Sequence, residues 1–452
     1  MPNDAKVVIR LGSHSEKEYV EKTIRYLDGV MVGANLVETT PAATASLLFK
    51  LSGSTGRPYY IDPMTYAYGA YYDPMVSAVR DDLDWIKSDQ KVKGSKSKTV
   101  RAFKSSYRKL ADQFGQPFST ALNRGTAVSL ADFPSDTAIA ATCRAVLDYQ
   151  ANKVRSIFAE DSETANLSED MPRPAAIFAP YFYIEESDAD AWIELNRRFA
   201  ACSSMTRTDC AVHLVVCCHR SILTDGSRTD KIIEYVNGSA CAGVWLWFSK
   251  FDEHGGTDEE LDALASWVRR LAPMKHVFNM HGGYFSMILN KLGMSGIAHG
   301  VGYGEQKDVV PVIGQSTPTI QYYVRSAHAK FSVAQITRCF SALKITTPQH
   351  FFDKICDCVI CKGIIEDNLA NFAQFGEIHY STPTSKRPAQ TPAAAKRCRF
   401  HFLLNRIKER NFVNASDLNA IVANLASSHT EWSKTILRSS LDHLKAWENS
   451  AV

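Results

Sequence analysis

Short apolar runs with strand composition recur along this chain, separated by stretches whose apolar residues return at helical spacing. The runs are Gly29–Ala34, Pro58–Ile61, Ala175–Ile184, Ala211–Cys218, Ala242–Phe248, His276–Met280, Gly296–Gly302 and Thr319–Val324. A strand followed by a helix pairs in parallel with the next strand, because the helix carries the chain back along the sheet. Eight such units predict an α/β fold, a (β/α)8 TIM barrel. The alternation breaks between Asp81 and Pro172, where the residues are mostly helical or polar in character. We therefore divide the chain into barrel segments 1–80 and 173–350, an inserted, mainly helical subdomain 81–172, and a C-terminal segment 351–452. That last segment opens on a cysteine-rich turn and ends on Phe402–Asn449, where helical spacing returns.

With 45% hydrophobic and 22% charged residues, the composition is that of a globular protein and excludes a disordered one. Met1–Arg10 lacks the apolar stretch of a signal peptide and no apolar run is long enough for a bilayer, so we expect a soluble, cytoplasmic protein with no membrane partner. Eleven cysteines, an odd number, suit a reducing compartment better than a disulfide framework.

The net charge of +3 announces no polyanion partner, yet nine basic residues lie between Lys87 and Lys109 against the single acid Asp89. Lys96, Lys98, Arg101 and Lys104 are the core of this candidate phosphate-binding surface, and Phe103 and Tyr107 interleave with it as stacking groups would. A second basic stretch, Lys386–Arg399, is rich in Pro and Ala and reads as a mobile loop.

Cys356-Asp-Cys358-Val-Ile-Cys361 puts three thiols within one turn. Three thiolates and one imidazole fill a tetrahedral shell without an open position, which predicts a structural zinc ion. His379, Cys398 and His401 all follow; His401 is the preferred fourth ligand, on the first turn of a helix His401–Arg410, and Cys398 the alternative.

The knuckle resembles that of the tRNA-guanine transglycosylase superfamily, (β/α)8 enzymes in which C-x-C-x-x-C precedes a histidine opening a helix. Val30-Met-Val-Gly-Ala-Asn35 is similar to the family's first strand, Arg57-Pro-Tyr-Tyr-Ile-Asp62 to the second, which ends in the catalytic aspartate, and His276-Val-Phe-Asn-Met280-His-Gly-Gly283 to the strand ending in methionine and glycine. The family's Asp-Ser-Gly-Gly-Phe stands here as Asp62-Pro63-Met64-Thr65-Tyr66, and Gly296–Glu305 carries His299 where the nucleophilic aspartate belongs. These departures look most like the DNA-modifying paralogues. The resemblance thus implies a pentosyltransferase that exchanges guanine in DNA for a 7-deazaguanine such as 7-cyano-7-deazaguanine, working with accessory proteins of a modification system. A tRNA substrate, or a catalytically inactive nucleic-acid-binding subunit of the same fold, are the alternatives.

Exchange at a glycosidic carbon needs a carboxylate to stabilise or capture the oxocarbenium-like sugar and a group to manage protons on the two bases. Asp62 ends an apolar strand, where barrel enzymes place their chemistry. His299 is the candidate proton shuttle, with Glu305 or Asp308 as substitute acids. On the resemblance, Tyr66 and Met280 sandwich the purine, and Asp252 and Glu253 accept hydrogen bonds from its ring NH and amino group.

Overall fold

Eight parallel strands follow one another around a barrel in chain order: β1 (Lys6–Leu11), β2 (Gly29–Gly33), β3 (Tyr59–Asp62), β4 (Ile177–Phe178), β5 (Val212–His219), β6 (Gly243–Ser249), β7 (His276–Asn279) and β8 (Met294–His299). The architecture is that of a computed structural model, which describes residues 4–70, 106–160, 165–206, 208–302, 304–310, 319–380 and 388–450. β1 pairs with both β2 and β8, in registers that set Val8 beside Gly29 and Ile9 beside His299. Gly296 permits that closure, since a Cβ there would lie 2.5 Å from the Lys6 carbonyl oxygen. β5 and β6 are apolar almost throughout, as strands buried on both faces must be.

Two expectations about the strands are corrected. The first barrel strand is Lys6–Leu11, which the apolar-run reading passed over, and Thr319–Val324 is not a barrel strand. Its residues Tyr322–Val324 (β9) pair antiparallel with Ala329–Phe331 (β10). The physical reason is the connection: β10 returns after a tight turn through His328, at φ +48°, with no crossover helix to restore a parallel direction. The run Ala175–Ile184 yields only the short β4 and one isolated bridge, Ile184 with Cys218. Pro180 lies between them and has no N–H for the ladder.

The barrel's seam lies between β3 and β4, where the Ala175 N–H reaches the Tyr59 carbonyl at 3.0 Å. Gln150, on the long helix Asp136–Glu160, satisfies the open edge: its amide donates to the Phe178 carbonyl at 2.8 Å and accepts from the Phe178 N–H at 2.7 Å. Aromatic rings fill the barrel below its mouth. Trp245 stacks on Phe278 at 4.4 Å, meets Tyr60 and Phe178 edge-on, and donates its indole N–H to His213 Nδ1 at 3.1 Å.

The helix Pro392–Ala415 packs against β1 and β9. It begins inside the stretch expected to be a mobile loop, and Lys396 and Arg399 there contact Glu18 and Tyr19 of an N-terminal helix. Among the described residues no helix is long and apolar enough to cross a membrane.

Candidate functional site

Cys356, Cys358, Cys361 and His401 converge, all buried, with their four ligand atoms within 4.8 Å of one another. The turn before the helix Val359–Ile365 aims the sulfurs. The Cys358 N–H points at Cys356 Sγ and the Cys361 N–H at Cys358 Sγ, each at 3.4 Å. His401 Nδ1 stands 3.5 Å from Cys358 Sγ and 3.3 Å from Cys361 Sγ. Metal–sulfur and metal–nitrogen bonds of about 2.3 and 2.0 Å give tetrahedral edges of roughly 3.5 Å, so the group can hold a metal ion. His401 Nε2 donates to the Tyr323 carbonyl at 2.6 Å, which leaves Nδ1 without a proton, its lone pair available to an ion among the sulfurs. Tyr322 adds a hydroxyl 3.0 Å from Cys361 Sγ and a ring stacked on the imidazole at 3.9 Å.

Cys398, the alternative ligand, instead donates to the Phe375 carbonyl at 3.3 Å, and His379 lies on the exposed strand Ile378–Tyr380. His401 sits well inside the helix Pro392–Ala415 rather than on a first turn. This corrects the expected helix start, because Thr391 caps the helix and Pro392 opens it nine residues before His401.

One turn beyond His401 the same helix reaches the barrel. Arg406 pairs with Glu305, on the loop after β8, and with Glu409 at 2.8 Å. Lys330 pairs with the other oxygen of Glu305. Burial alone would raise the Glu305 pKa, but Lys330 and Arg406 outweigh it and hold the carboxyl well below its usual range. Glu409 also accepts from Tyr323 Oη and from His328 Nδ1, both at 2.6 Å.

At the barrel mouth Asp62 is fully buried. Its Oδ2 meets Arg10 Nη2, from the end of β1, at 2.9 Å. Oδ1 accepts from the Tyr181 hydroxyl at 2.7 Å and from the Met64 N–H at 3.0 Å. That last bond holds Met64 at φ +55°, the left-handed conformation glycine favours, so the loop keeps a glycine-like turn without the glycine. Thr65 locks the β3 and β4 loops together by donating to the Tyr181 carbonyl at 2.7 Å and accepting its N–H at 2.9 Å.

No protein-family model and no curated protein matches this chain. The reading of the site therefore rests on its own geometry. His299 is buried, donates Nδ1–H to the Gly300 carbonyl at 2.9 Å and packs edge-on against Phe402. Burial and the nearby Arg406 depress its pKa to about 4, so the ring is neutral at physiological pH. No hydrogen bond or ion pair joins it to Asp62 among the described residues.

The residues expected to hold the base separate into two groups. Asp252 and Glu305 line one polar cavity of about 780 Å3, together with His254, Gln306 and Lys330. Glu253 is turned inward: one oxygen accepts from the Gly283 N–H at 2.9 Å and the Ser286 hydroxyl at 2.5 Å, which ties the β6 and β7 loops together. Burial raises its pKa, and those bonds offset only part of the rise. Tyr66 is stacked on Tyr181 at 5.6 Å and lies edge-on to Trp247 at 4.9 Å, while Met280, the residue after β7, is fully buried. Asp308 accepts the Lys250 N–H at 2.8 Å.

Lys96, Lys98, Arg101 and Lys104 lie outside the described residues, as does Phe103. Tyr107 is buried against Tyr68, which removes it from any stacking role at the surface. Local spacing missed Arg10, Tyr181, Trp247, His281 and Lys307 at the mouth. Arg10 alone carried a sequence signal, as a charge inside the apolar hexapeptide Lys6–Leu11.

Proposed function

We propose that this chain is a pentosyltransferase that exchanges guanine in DNA for a 7-deazaguanine, on a barrel braced by a structural zinc ion. One observation carries the reading: Asp62, a carboxylate at the C-terminal end of a barrel strand, is buried in the mouth between Arg10 and Tyr181. A carboxylate at this position is the group needed to stabilise or capture an oxocarbenium-like sugar. Three thiolates and an imidazole with no open position suit zinc in a structural role, where the ion ties the knuckle to the helix that carries Arg406.

The test is incorporation of labelled guanine into duplex DNA and into tRNA, followed by mass spectrometry of the nucleosides. Label entering DNA supports the reading. Label in tRNA alone moves the substrate, and label in neither favours a binding subunit that performs no exchange.

Reversing Lys96, Lys98 and Arg101 to Glu is expected to weaken DNA binding and flatten its salt dependence. Each lost phosphate contact lowers the slope of log affinity against log salt by about 0.9. Titrations at several salt concentrations measure it, and an unchanged slope returns this stretch to an ordinary solvated face.

A further inference from the structure

Opposite Asp62, the mouth carries a second set of groups that the exchange chemistry above leaves unassigned. Trp247, at the end of β6, forms its floor and is fully buried. The His281 ring, just after β7, leans on the indole at 4.8 Å, and the Lys307 ammonium stands 5.6 Å above it. The loop after β8 that delivers Lys307 is pinned at several points. Gly304 accepts His281 Nδ1–H at 3.2 Å, the Lys307 carbonyl accepts the Trp247 indole N–H at 2.7 Å, and Val309 donates to Ser249 at 3.0 Å.

Because a carbonyl can only accept, Nδ1 of His281 holds the proton and Nε2 is a bare lone pair. That Nε2 is buried and has no partner. Lys307 likewise has no hydrogen bond or ion pair at its ammonium among the described residues. A buried acceptor and an unpaired amine over an aromatic floor are what a flat, hydrogen-bonding heterocycle would occupy.

We propose that Lys307 is the acid/base of the base exchange, working over Trp247 beside His281, with Asp62 as the carboxylate on the other side of the sugar. The inference rests on the transglycosylase reading. In the first step an Asp62 oxygen forms a bond to the anomeric carbon as the carbon–nitrogen bond to guanine breaks. The bonding pair leaves with the base, and the Lys307 ammonium supplies the proton to a ring nitrogen. In the second step the neutral amine takes the N9 proton of the incoming 7-deazaguanine. That nitrogen's pair makes the new glycosidic bond, and the ester bond to Asp62 breaks. The amine ends the cycle protonated, as it began. His281 Nε2 accepts a hydrogen bond from an N–H of either base.

The electrostatics suit an amine that must do both jobs near neutral pH. The charged and titratable groups around Lys307 are Arg10 on β1, Asp62 on β3, Cys217 on β5 and His281 after β7. Burial, then Arg10, lower its pKa to about 8, with Asp62 and Cys217 opposing them. Departure of guanine requires the ammonium, so that step slows as pH rises through this value.

The experiment uses the full, metal-loaded chain. Lys307→Gln is expected to slow exchange of labelled guanine at least about a hundredfold, the lower end for a positioned acid/base. A readout independent of activity is the titration of lysines after reductive methylation with 13C-formaldehyde. One resonance, absent in Lys307→Gln, should titrate near 8, apart from exposed lysines near about 10.4. It should move lower still in Asp62→Asn, which removes a charge that holds the proton on. A Lys307 resonance that titrates with the exposed lysines overturns the proposal. So does wild-type exchange that persists in Lys307→Gln with the same pH profile, and there the transglycosylase reading survives. Absence of exchange by the wild type on both polymers, with the resonance still near 8, instead overturns that reading.

Discussion

Asp62→Asn is expected to lower the rate of base exchange by at least about a hundredfold while nucleic-acid binding and metal content are retained. Asparagine keeps the size of the side chain and can still accept from the Tyr181 hydroxyl and the Met64 N–H. What it removes is the negative charge. Arg10, only 12% exposed, then faces a neutral amide, and breaking one side of a buried pair costs about 3 kcal/mol or more. The variant should therefore also unfold at a lower temperature, and exchange is to be measured well below its own midpoint. Tyr181→Phe separates the effects, because it removes one hydrogen bond and leaves the ion pair. His299→Ala belongs beside it. An active Asp62→Asn with a dead His299→Ala would place the chemistry on the β8 loop and refute the role given to Asp62.

Cys358→Ser is expected to strip the metal and to destabilise the fold by more than about 4 kcal/mol, since the binding free energy of a structural ion is folding free energy. Cys358 lies at the centre of the knuckle: its sulfur receives the Cys361 N–H, and its own N–H points at Cys356 Sγ. Cys398→Ser, on the helix that carries His401 but outside the cluster, should keep full metal content. Elemental analysis and thermal unfolding report both. Stoichiometric metal in Cys358→Ser, or none in the wild type, would refute the site. Loss of the ion should also loosen the barrel mouth, because the helix that supplies His401 supplies Arg406 to Glu305 one turn later.

Much of this molecule could be read from neighbouring residues. The barrel class followed from strand-like runs spaced by helical stretches, and seven of the eight runs contain barrel strands. The knuckle was legible because its spacing is itself the geometry: three thiols on one turn can meet a single ion. Asp62 was legible because an acid at the end of an apolar run sits at a strand's C-terminal end. Lys6–Leu11 was missed as a strand because Lys6 and Arg10 leave an apolar run of only Val7–Ile9 between them, and with it went Arg10.

What the sequence by itself determined is what local chemistry dictates: alternating strand and helix periods, a tight thiol turn, and an acid closing a strand. What only the tertiary structure decided is who meets whom across the barrel. Arg10 reaches Asp62 across 52 residues, and Glu305 meets Arg406 across 101. Those distances close only when β1, β2 and β3 pair side by side and the helix Pro392–Ala415 returns against β1. Tyr66 and Met280 look in sequence like the two faces of a slot. In the fold Tyr66 is stacked on Tyr181 and Met280 is fully buried, while Lys307, with no motif of its own, stands over the Trp247 ring. The reason is geometric: local spacing specifies period and turn, whereas the direction of a side chain inside a closed barrel depends on register and on loops returning from distant parts of the chain.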